Sequence, residues 1–98
     1  MTLKAFLDEV DRVCPILELT GLYDEKGERN DTPGTDLGDA AYVVLRSYYD
    51  DYGSTHSQTD LLREAGNGLE TLGEFLRCGG EALIQHANGE TPSAHITL

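Results

Sequence analysis

The sequence predicts an all-α fold: a single acidic helical domain over residues 1–98, built as a compact bundle of three to four helices with one acidic loop. Three observations predict it. Apolar residues recur at three- and four-residue spacing in separate stretches, as in a helix with one buried face. Ser or Thr stands at the start of each stretch, where a side-chain oxygen can cap the orphan N–H groups. The breaks between them are rich in Gly, Pro, Asn and Asp. An α+β alternative, with a C-terminal β-hairpin turning at Asn88-Gly89, stays open.

The first helix rests on Leu3, Phe6, Leu7, Val10 and Val13, with Thr2 as N-cap. Pro15 ends it near Val13–Cys14, because proline has no N–H to give the ladder. The following "ILELTGLY" reads either as resumed helix or as extended chain, closed by Gly21. "DEKGERNDTPG" is expected to be a solvated surface loop. Its acids do not make a calcium-binding EF-hand. Counting from Asp24, Lys26 stands third, Glu28 fifth and Arg29 sixth, and that loop needs glycine sixth.

"TDLGDAAYVVLRSYYDDYG" is the clearest helix. Thr35 caps it, and Asp36 and Asp39 suit the positive end of its dipole. Leu37, Ala41, Val44, Leu45, Tyr48 and Tyr52 gather on the predicted core face, with Tyr42 and Tyr49 beside it. Gly53 is expected to stop the helix in a left-handed conformation.

The last helical region starts at Ser57 or Thr59. Leu62, Ala65, Leu69, Leu72, Leu76 and Leu83 alternate three- and four-residue spacings, with Gly79 in the missing place. This seam suits one helix of an intramolecular bundle or, alternatively, a dimer formed through Leu62, Leu69, Leu72 and Leu76. Gly79-Gly80 is expected to divide it into two helices. The tail reads as a helix closed by Asn88-Gly89 or as the hairpin.

Charge narrows the function. Eighteen acids against 7 bases give a net charge of −11 and a pI near 4.4. Such a surface repels nucleic acid and anionic membranes and attracts basic proteins. Neither a signal peptide nor a membrane-length apolar run is apparent, so a cytoplasmic protein, monomer or homodimer, is expected. Cys14 and Cys78 fall at apolar helical positions and read as small core side chains with free thiols. His56, His86 and His95 are far apart, and no CxxC pair or phosphate-binding loop is present. Neither an enzyme nor a cofactor or metal site is expected.

The excess charge concentrates early: residues 1–52 hold 12 acids and 5 bases, residues 53–98 hold 6 and 2. In the second half acids and bases alternate, as at Asp60 and Arg63 or Glu74 and Arg77. On the second helix, Asp36, Asp39 and Asp50 lie opposite the core, with Val43 and Ser47 between them and Asp51 at the margin. Loop acids Asp24 and Glu25 add to this charge. The candidate partner-binding set is therefore Asp36, Asp39, Tyr49, Asp50, Asp51, Asp24 and Glu25, with tyrosine as anchor and carboxylates steering a basic partner. The plainer expectation puts Tyr48 and Tyr52 half in the core, Tyr49 over its edge and the acids in water. In size and charge the chain is similar to nuclease-immunity proteins and to phage inhibitors of restriction or CRISPR systems, with no shared motif. That likeness implies an inhibitor acting by nucleic-acid mimicry.

Overall fold

A computed structural model describes residues 1–89. The described chain is helical: α1 (Leu3–Val13), a 3-10 turn (Pro15–Leu17), α2 (Asp36–Tyr52) and α3 (Gln58–Ala87). It divides into two compact units, the first Met1–Gly66 and the second starting at Asn67.

The caps lie where local chemistry puts them. Thr2 Oγ1 accepts from the Ala5 N–H at 3.1 Å, Thr35 Oγ1 from Gly38 at 3.0 Å, and Ser57 Oγ from Asp60 at 3.2 Å. α1 ends at Val13, and Pro15 opens the 3-10 turn, where its missing N–H costs nothing. "ILELTGLY" is neither helix nor strand. Glu18 leaves the 3-10 turn with a left-handed φ of 56°, and Gly21 turns the chain at φ 82°. Between these bends Leu19 and Leu22 drop into the core.

The acidic loop is not simply solvated. Asp24 Oδ1 accepts from the backbone N–H of Lys26 (2.9 Å) and of Glu28 (3.0 Å), and Tyr23 and Arg29 form an antiparallel bridge. Gly27, at φ 85°, is buried, and a Cβ there would lie 2.6 Å from Leu3 Cγ and 2.8 Å from the Lys4 nitrogen. The loop is thus wedged against the start of α1 while its charged tips stay outside.

α2 buries Gly38, Ala41, Tyr42 and Leu45. This corrects the predicted core face, since Leu37 is 54% exposed and Tyr52 38%. The cause is tertiary. The Glu18 carbonyl comes so close that a Cβ on Gly38 would lie 2.8 Å from it, so the helix turns its glycine inward and leaves Leu37 out. Gly53 does end α2, but at φ −61°, which is right-handed. Its glycine serves close approach instead: a Cβ would sit 2.6 Å from the Tyr49 carbonyl oxygen.

α3 runs unbroken through Gly79-Gly80, against expectation. Glycine disfavours a helix by only about 1 kcal/mol, and Arg77 straddles the site with ion pairs to Glu74 and Glu81, both at 2.5 Å. The stretch that would form the hairpin's first arm is helical to Ala87. Gly89 follows with a left-handed φ of 79°. The rest of the tail, residues 90–98, lies outside the described residues.

In the first unit α1, the 3-10 turn and α2 pack on one another. Phe6, Leu7, Leu19, Leu45 and Leu61 are its largest fully buried side chains. Leu61 and Ala65 are the buried residues of α3, so the seam residue Leu62 is only half-buried. Both cysteines are also half-buried free thiols, not the core side chains the spacing suggested.

Candidate protein-binding surface

The surface is set by how the chain spends its bases. Six of the seven are held in ion pairs. Lys4 meets Asp8 at 2.6 Å, Arg29 meets Asp39 at 2.8 Å, and Arg63 meets Asp60 at 2.8 Å. Arg12 pairs with Glu9, and Arg46 with Glu28 and, at 3.6 Å, with Asp50. Asp11, Glu18, Asp24, Glu25, Asp31, Asp36, Asp51, Glu64 and Glu70 are left without an ion pair among the described residues.

The predicted site residues divide accordingly. Asp36 and Asp51 are exposed near opposite ends of α2, about 22 Å apart along the axis at 1.5 Å per residue. Between them the outer face of α2 carries Ala40, Val43 and Ser47, all exposed and small or short. Asp39 turns aside to take two hydrogen bonds from Arg29, whose guanidinium also donates to the Leu22 and Asn30 carbonyls. Asp24 is occupied in holding its turn.

Tyr49 faces the core edge: its ring stacks on Phe6 with centroids 6.2 Å apart, and its hydroxyl donates to the Met1 carbonyl at 3.0 Å. A groove of about 630 Å³ brings Tyr49, Asp50 and Glu25 together with Lys4, Lys26 and Arg46. Its mixed charges nearly cancel, so it is no purely anionic cleft. At its margin, hydrogen bonds from Lys4 and then Tyr23 hold the Asp8 carboxyl below its usual range. Burial, then the bond to Asp8, pushes the Tyr23 phenol up.

An aromatic row runs from the end of α2 into the turn that follows it. Tyr48 and Tyr52 have ring centroids 5.9 Å apart, and His56 meets Tyr52 edge-on at 5.1 Å. The four-residue spacing of 48, 52 and 56 was its signal. Among the described residues no group of three or more His, Cys, Asp or Glu side chains is placed to hold a metal ion. No helix among them is long and apolar enough to cross a membrane.

On α3 the seam residues Leu69 and Leu72 are half-buried, while Leu76 is 65% and Leu83 72% exposed. Comparison of the chain with protein-family models, with curated proteins and with solved structures found no match in any of the three.

Proposed function

We propose that the protein is a stoichiometric inhibitor that lays an acidic face on a Lys/Arg-rich surface of a nucleic-acid-processing protein, of the nuclease, restriction or CRISPR-effector kind. Carboxylates there stand in for phosphates. One observation carries the reading: six of seven bases are neutralised internally, so the outward charge is carboxylate. The site is the outer face of α2, Asp36 and Asp51 at its ends, with Glu25 on the loop. Short side chains between the acids let a flat basic partner approach, and the charges set steering and register. In this reading Tyr49 supports α2 through its stack on Phe6, and the carboxylates meet the partner.

The test is capture from the native host, with bound proteins identified at low salt and released as salt rises to roughly a few hundred millimolar. The captured protein should lose nucleic-acid binding at one equivalent. Asp36→Lys with Asp51→Lys should abolish capture without altering the circular dichroism spectrum. Glu64→Lys with Glu74→Lys, an equal charge change at two exposed positions on α3, should leave capture intact. Equal loss in both variants would mean a diffuse solubilising coat and would sink the proposal.

A further inference from the structure

We infer that α3, from Asn67 to Glu81, pairs antiparallel with the same segment of a second copy of this chain. The inference is independent of the acidic-face reading, since it concerns a different surface. Three columns of α3 repeat every seven residues. Leu62, Leu69, Leu76 and Leu83 form one, Ala65, Leu72 and Gly79 the second, and Gly66, Gly73 and Gly80 the third, adjoining both. Ala65 is spent on the core of the first unit, so a free seam starts beyond Gly66. There Leu76 is 65% exposed, and a Cβ built on Gly73, Gly79 or Gly80 would meet nothing within 4 Å. These glycines weaken the helix by about 1 kcal/mol each relative to alanine. No described neighbour within the second unit uses the space they leave, whereas a helix lying close along this face would.

The antiparallel direction follows from matching size and charge. With the two-fold axis beside Gly73–Phe75, Leu69 lies opposite Gly79 of the second copy and Leu72 opposite its Leu76. Gly73 of each copy then lies beside the axis, level with Phe75 of the other, so the backbones can approach. The same register sets Glu70 opposite Arg77 of the second copy, twice. Glu70 has no ion pair among the described residues, while Arg77 reaches along its own helix to Glu74 and Glu81. A parallel pair would instead stack Gly79 on Gly79, leaving a void, and would put Glu70 and Arg77 of the two copies on opposite flanks, where they could not pair.

Sedimentation of the full chain across micromolar to millimolar concentration tests this. A dimer is expected, lost in Leu76→Asp. Glu70→Arg should weaken it about tenfold, and Glu70→Arg with Arg77→Glu should restore it. Gly73→Cys, in a Cys14→Ser, Cys78→Ser background, should cross-link to itself under mild oxidation. Far-ultraviolet circular dichroism on each variant separates loss of pairing from loss of helix. A monomer at every concentration would overturn the inference. A dimer indifferent to Leu76→Asp, or one without charge-swap rescue and self-cross-linking at residue 73, would overturn it too.

Discussion

The Tyr42 hydroxyl donates to the Gly27 carbonyl at 2.7 Å, both residues being buried, and this bond ties the acidic loop to α2. Tyr42→Phe would leave that carbonyl without its partner, at a cost of about 1–3 kcal/mol. Gly27→Ala should cost more, roughly 2–4 kcal/mol, because it adds a left-handed backbone to a collision with Leu3. Urea unfolding measures both. Equal stability of Tyr42→Phe and the parent would show that the loop is not held this way.

Two glycines should respond in opposite directions to the same change. Gly38→Ala pushes a methyl group against the Glu18 carbonyl and should destabilise the first unit by about 1–3 kcal/mol. Gly66→Ala meets nothing within 4 Å and should stabilise α3 by about 1 kcal/mol. Thermal melts of the pair, with helix content by circular dichroism, provide the check.

Tyr49 separates packing from hydrogen bonding. Tyr49→Phe keeps the stack on Phe6 and loses only an exposed bond to the Met1 carbonyl, so a change of about 0.5 kcal/mol is expected. Tyr49→Ala removes the ring and should cost about 2–3 kcal/mol. Partner capture by Tyr49→Phe should match the parent; a large loss would return Tyr49 to the binding surface.

Asp8 and Tyr23 give the fold an acid and an alkaline flank. The Asp8 carboxyl is lowered, so its contribution is present above the ordinary carboxylate range and lost as pH falls through the folded value. The Tyr23 phenol is raised, so the folded state keeps a proton that the unfolded chain gives up. That contribution is complete below about pH 10 and disappears as pH rises. Tyr23→Phe should therefore flatten the alkaline fall in stability, and Asp8→Asn the acid fall, in denaturation midpoints measured across pH.

What was legible in the sequence was local. Thr2, Thr35 and Ser57 cap their own helices, and Pro15 stops its own, so each could be read within a few residues. The inward face of α2 could not, because Gly38 replaces Leu37 on account of a carbonyl at Glu18, in another element. Gly79-Gly80 misled in the other direction: a glycine pair permits a break without requiring one. At the candidate surface, periodicity found the exposure of Asp36 and Asp51. It could not foresee that Arg29 would claim Asp39 or that Asp24 would serve its own turn.

The wedged loop also bears on proteolysis. Lys26 presents an exposed side chain to a protease that cuts after lysine, yet its N–H is held by Asp24 and the next residue, Gly27, is buried. The scissile bond can enter such an enzyme only after the loop lifts from α1. Cleavage after Lys26 should then be slow in the intact fold, and its rate would time how often the first unit opens.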